Sequence, residues 1–130
     1  MTKLLYILTG LIGVALIAFG FYALVATTAV TDMTALAPRG SAGLNEARAI
    51  YAGSFWAMGG IILYALGRPF VRQPLLLSIG IIFAGFVVAR FVSIGMDGYD
   101  PALAASIGSE IVAALILIAA SRTRTAGSSV

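Results

Sequence analysis

Apolar residues fill this chain in four long blocks, and the polar residues gather between them. The blocks run over about 4–26, 46–66, 74–94 and 101–121. A helix rises about 1.5 Å per residue, so roughly 20 apolar residues cross a hydrocarbon core about 30 Å thick. The pattern therefore predicts an all-α, polytopic membrane protein: four transmembrane helices in an antiparallel bundle. Short links leave no room for a second domain, so residues 1–130 read as one unit.

Boundary signals refine each block. A cleaved leader is the competing reading of the first, with Thr27 and Ala29 vaguely suiting a cleavage site. Its apolar run exceeds the usual 7–15 residues of a leader, and a retained span is expected. Gly10, Gly13 and Gly20 fall on one face of that helix, where small residues admit a neighbour. Residues 27–44 form the longest polar segment, a surface link in which Thr31 or Asp32 could cap one short helical turn. Asn45 reads as the N-cap of the second span, which puts Glu46 at its first position, against the positive end of the helix dipole. Ala49, Gly53, Ala57 and Gly60 make a small-residue stripe beside a face carrying Arg48, Tyr51, Ala52, Phe55 and Gly59. Gly67 and Pro69 stop that span, and Gln73 or Pro74 opens the third. Gly95 is the expected end of the third span, with Asp97-Gly98 as a turn. Asp100-Pro101 opens the fourth with an N-cap and a proline at the first helical position. After Ser121 the segment to Val130 reads as a disordered polar tail.

Charge sets the orientation. Lys3, Arg68, Arg72, Arg122 and Arg124 fall on one side of the predicted membrane; Asp32, Arg39, Asp97 and Asp100 fall on the other. Cytoplasmic loops are enriched in Lys and Arg, so both termini and the middle link are expected in the cytoplasm. The net charge of +3 comes from helix ends rather than a basic face and does not suggest nucleic acid.

Composition narrows the chemistry. The chain is 61% hydrophobic and 10% charged, and has neither Cys nor His. Thiolate chemistry, Ser-His or Cys-His nucleophiles and His-ligated metal or haem are excluded. The first span holds a lone Gly-x-x-Gly, a packing signal only; no phosphate loop, dinucleotide fingerprint or metal cluster is legible. Asp97 to Asp100 is too short for a calcium loop and reads as turn plus cap. No cofactor, metal or catalytic residue is expected.

What remains are charges inside spans. Arg48, Arg90 and Glu110 form a candidate buried centre, with Glu46, Tyr51 and Asp97 as secondary candidates. Charges at membrane depth are costly and point to function or a partner. Helix side chains lean toward their own N-terminus, so on antiparallel third and fourth spans Arg90 and Glu110 lean toward each other. Two charges 4 Å apart attract by about 4 kcal/mol at an effective dielectric near 20. Inserting each alone costs about 2.5–3.5 kcal/mol, so the pair roughly offsets its own cost. A structural pair fixing helix register, a cavity for an anion, headgroup or proton, a neutral Glu110 and a contact with another subunit all fit. Tyr51, Phe55, Trp56, Phe83, Phe86 and Phe91 read as packing or lipid-facing residues rather than a ligand cage.

The run Asn45 to Gly53, Ala89-Arg90-Phe91 with Asp97-Gly98, and Glu110 together resemble a family of small bacterial four-helix membrane proteins, the domain of unknown function DUF4345. The resemblance covers nearly the whole chain; Ala52 stands where that pattern has a second glycine. It implies a multi-pass protein of a bacterial cytoplasmic (inner) membrane and adds nothing about activity. The expected function is a non-enzymatic accessory or assembly component in the lipid bilayer, as a homo-oligomer or part of a larger membrane complex. The alternative is a small carrier or channel coupled to protons or ions through Glu110 and Arg90, with lipid-headgroup chemistry a distant third.

Overall fold

The structure, a computed structural model, describes residues 1–123. Four of its helices are long and apolar enough to cross a membrane: Lys3–Val25, Gly40–Leu66, Pro69–Asp97 and Pro101–Ser121. In chain order these are the first to fourth spans. A short helix, Thr27–Met33, lies between the first and second. No strand occurs among the described residues. The spans pack in ring order, first on second, second on third, third on fourth, and fourth on first. The outer surface is apolar, with Leu4, Phe21, Val25, Val88 and Leu115 all exposed, as a surface meeting hydrocarbon requires.

Three boundaries differ from the sequence reading. The second span begins at Gly40, six residues before the expected start at Glu46, so Asn45 and Glu46 lie within the helix. Pro38 ends the preceding link, Gly40 turns the chain with φ +63°, and nothing from Ser41 to Leu44 stops a helix once begun. The third span opens at Pro69, whose missing N–H costs nothing at a helix start, and Pro74 lies inside it. Its end is Asp97 rather than Gly95; Gly98, at φ +92°, is the residue that leaves the helix. The polar link is also more ordered than a surface connection. The short helix starts at Thr27, before Thr31 and Asp32, and buries Thr27, Val30 and Thr31. The fourth span opens as read: the Asp100 carboxylate accepts from the Ala102 N–H at 2.8 Å, ahead of one 3-10 turn over Pro101–Leu103. Arg124 and the expected disordered tail to Val130 lie outside the described residues.

Glycine sets the closest approach. A Cβ on Gly59 would stand 2.6 Å from the Gly13 carbonyl oxygen, and one on Gly20 would stand 2.6 Å from the Trp56 ring. First and second spans therefore meet backbone to backbone. The stripe read as a packing face is not one: Gly53 and Gly60 have nothing within 4 Å of where a Cβ would sit. Of the small residues on this helix, Ala52 and Gly59 are the ones that approach the first span. Between the third and fourth spans Gly80 plays the same part against Ile118.

The core that joins the second, third and fourth spans lies in one half of the bundle. Leu76, Ile79 and Phe83 of the third span pack with Ala113, Ala114, Leu117 and Ala120 of the fourth, and with Met58, Ile62 and Ala65 of the second. No residue of the third span beyond Phe83, and none of the fourth before Ala113, is buried. Toward Asp97 and Asp100 the third and fourth spans are thus open, while the first and second stay packed, with Ala23, Val30, Ala47 and Ala52 buried. At the opposite end, Arg72 donates to the Leu66 carbonyl at 3.5 Å, close to where the second span ends, and the Arg68 guanidinium lies 5.8 Å from the Tyr64 ring centre.

The two glycine environments predict opposite outcomes. Gly59→Ala forces two backbones apart and should lower stability in detergent by about 1–3 kcal/mol. Gly60→Ala meets open space and should leave it unchanged or raise it by up to about 1 kcal/mol. Thermal unfolding of the two variants against the parent chain checks both.

Candidate functional site

The third and fourth spans hold the charged centre. Arg90 sits seven residues before the end of the third span, and Glu110 nine residues after Pro101. Their antiparallel lean brings the side chains together. Arg90 Nε donates to Glu110 Oε2 at 2.7 Å, and Arg90 Nη2 donates to Oε1 at 2.7 Å. This is a bidentate pair, in which geometry and charge reinforce each other. It is the one ion pair among the described residues, with 31% of the Arg90 side chain and 13% of the Glu110 side chain exposed.

Beside the pair lies a cavity of about 360 Å³ between the second, third and fourth spans. Its walls are Ile50, Tyr51, Ser54, Phe55 and Met58 on the second, Phe86, Ala89 and Arg90 on the third, and Glu110 on the fourth. The volume falls in the range of small-molecule sites, about 300–1,000 Å³. Tyr51, Phe55 and Phe86, read from the sequence as packing or lipid-facing, are cavity walls. Trp56 faces Phe21, at 5.0 Å between ring centres, and Phe83 is core. Phe91 is exposed.

A π-turn over Ala49–Gly53 decides what the second span presents. Such a turn inserts an extra residue into the helical ladder and rotates the residues beyond it about the helix axis. The sequence reading put Arg48, Tyr51, Ala52, Phe55 and Gly59 on one face; the structure divides them. Tyr51 lines the cavity, Ala52 and Gly59 approach the first span, and Phe55 does both, meeting Phe19 at 4.9 Å between ring centres. Arg48 joins neither group.

Arg48 is thus not a third member of the Arg90–Glu110 centre. Its Nε donates to Thr27 Oγ1 at 3.1 Å, and Thr27 Oγ1 in turn donates to the Ala23 carbonyl at 2.9 Å. Because the helix begins at Gly40, Arg48 is in its ninth position and escapes the positive end of the dipole. Its partner hydroxyl, Thr27 Oγ1, is itself held by the Ala23 and Leu24 carbonyls at the end of the first span. Tyr51 Oη donates to Thr34 Oγ1 at 3.1 Å, a second tie between the second span and the short helix's end. Glu46 is exposed and Asp97 accepts from Ser93 Oγ at 3.3 Å; neither reaches the pair. No group of three His, Cys, Asp or Glu that could hold a metal ion occurs among the described residues. The π-turn and the Thr27 and Thr34 ties were missed from the sequence, because nothing in Ala49–Gly53 distinguishes a π-turn from an α-turn.

The fold and the pair define a four-span, multi-pass membrane protein with an ion pair at membrane depth. The chain belongs to the family described as Domain of unknown function (DUF4345), whose model matches residues 4–121. No curated protein and no solved structure matches it.

Removing one partner of the pair strands the other charge in hydrocarbon. Arg90→Ala and Glu110→Ala should each cost roughly 3 kcal/mol. The double variant should cost less than their sum, since both changes remove the same interaction. Unfolding in detergent measures all three, and simple additivity would exclude direct contact.

Proposed function

We propose that this protein is a non-enzymatic accessory or assembly component of a membrane, with Arg90–Glu110 as the latch that sets how its third and fourth spans meet. One observation carries the reading: both carboxylate oxygens accept from the same guanidinium, so each charge is satisfied within the chain. A latch of this kind serves specificity of packing more than stability. The uncovered glycines support an assembly role. Gly53 and Gly60 on the second span, Gly85 and Gly95 on the third and Gly108 on the fourth have nothing within 4 Å of a Cβ position. Such faces admit close approach of another helix, from a second copy or a larger membrane complex. Extraction in mild detergent followed by native electrophoresis should give a homo-oligomer or a stable complex; a lone monomer counts against the reading.

The membrane is the cytoplasmic (inner) membrane of a bacterium, with both termini and the link at Gly67 and Arg68 inside. Lys3, Arg68, Arg72 and Arg122 lie at one end of the bundle, and Asp32, Asp97 and Asp100 at the other, which is the arrangement the positive-inside rule requires. The chain has no Cys of its own, so single cysteines report cleanly. Tyr99→Cys should react with a membrane-impermeant maleimide in intact cells, and Arg68→Cys only after permeabilisation.

A second reading, a small proton- or ion-coupled carrier, draws on the cavity that Arg90 and Glu110 border. It predicts a proton or ion flux in liposomes that Glu110→Gln abolishes; flux unchanged by that substitution eliminates it.

A further inference from the structure

The way Arg90 is paired leaves a specific part of it unused. Glu110 occupies the Nε and Nη2 edge of the guanidinium. Arginine has five N–H donors, so the other edge keeps one Nη2–H and both Nη1–H. Nη1 makes no hydrogen bond among the described residues, and Arg90 borders the cavity. Tyr51 Oη donates to Thr34 and retains its capacity to accept. The rest of the cavity wall is mostly apolar: Ile50, Phe55, Met58, Phe86 and Ala89. A pocket with a donor fork at one end and an apolar wall beyond it calls for an amphiphile.

Charge and depth select which one. Arg90 and Glu110 together are neutral, so an anion drawn to the fork would also face the Glu110 carboxylate in a medium that screens poorly. An uncharged acceptor meets no such repulsion. The third span has 29 residues, about 43 Å at 1.5 Å each, and overshoots a core of about 30 Å by roughly 7 Å per side. Arg90, seven residues from its end, thus lies a few ångströms inside the hydrocarbon boundary, about 10 Å along the axis from the tip. Lipid phosphates stand outside that boundary, whereas ester carbonyls lie near it. The wall from Tyr51 to Met58 descends seven residues from there, about 10 Å toward the core. The volume of about 360 Å³ corresponds to roughly twelve units the size of a water molecule, enough for a good part of one acyl chain.

We propose that this cavity binds one ester-linked acyl chain of a membrane lipid, its carbonyl oxygen on the free Arg90 fork and its methylenes along Phe55, Met58, Phe86 and Ala89. The inference rests on the Arg90–Glu110 latch, because Glu110 takes the Nε and Nη2 edge and leaves the other edge of this cavity-lining arginine without a partner among the described residues. The headgroup remains outside and is not recognised.

The discriminating probe is a pair of lipids that differ only in that carbonyl. Native mass spectrometry of the full chain in detergent is carried out with dioleoyl phosphatidylcholine and with its ether-linked dialkyl analogue. A hydrogen bond from a charged donor is worth about tenfold or more in affinity, so the ester lipid should bind at least about tenfold more tightly. Dioleoyl phosphatidylglycerol should bind like the phosphatidylcholine. Ala89→Phe adds bulk to the cavity wall and leaves both charged side chains in place, and should abolish lipid binding while the stability coupling of Arg90 with Glu110 persists. Equal binding of ester and ether lipids, preference by headgroup, or lipid binding unaffected by Ala89→Phe would each overturn the proposal. So would dissociation of a dimer by Ala89→Phe with no lipid bound to the parent chain, which would make a second copy the occupant. Absence of ester preference while the coupling survives refutes the lipid site alone; absence of the coupling as well refutes the latch beneath it.

Discussion

Two opposite charges placed inside hydrocarbon have few alternatives to each other, and the third and fourth spans are arranged around that fact. Arg90 cannot be deprotonated to relieve its cost, and its side chain leans toward its own helix's N-terminus, away from the near boundary. Glu110 arrives on the neighbouring helix running the other way, leaning to meet it, and the two close a bidentate pair at 2.7 Å. The pair fixes the height of one helix against the other. The Asp100 cap and the positive-φ turn at Gly98 then set how the hairpin closes above it.

The rest of the chain is divided between a tight half and an open one. On the tight side, Gly13 against Gly59 and Gly80 against Ile118 bring helices close enough for dispersion to hold them, which matters where lipid is as apolar as any side chain and no hydrophobic drive pulls helices together. Toward Asp97 and Asp100 the third span beyond Phe83 and the fourth before Ala113 bury nothing; there Tyr51 and Phe55 wall the cavity beside the π-turn, and Phe55 also meets Phe19 of the first span at 4.9 Å between ring centres. The short helix after the first span is anchored there by Arg48 on Thr27 and Tyr51 on Thr34. The charges thus serve two separate jobs: one pair joins the last two spans, and one arginine ties the second span to the end of the first.

Much of this was legible in the residues, through length, hydropathy and direction. Blocks of about 20 apolar residues specify spans because the bilayer thickness is a fixed ruler. Asp100-Pro101 marked a helix start because its chemistry is local. Arg90 and Glu110 could be matched because lean is a consequence of backbone geometry and antiparallel order. Readings that needed to know which face meets which neighbour fared worse. The Ala49–Gly60 stripe is made wholly of small residues and the Gly59 face is not, yet the covered glycine is Gly59, and sequence carries no mark of that. Asn45 looked like a helix start because it caps well, yet a helix already begun at Gly40 passes through it.

By itself, then, the sequence determined the class of structure, the number and order of spans, and the lean of the two charges toward each other, all consequences of the match between chain direction and bilayer. The tertiary structure decided what that order left free. It turned Arg48 away from the centre, put a π-turn at Ala49–Gly53, and placed the contact core of the third and fourth spans at one end of the bundle. Those features depend on rotation of each helix about its own axis, which is set by contact between backbones and side chains distant in sequence. From that rotation comes the cavity beside Arg90 and Glu110.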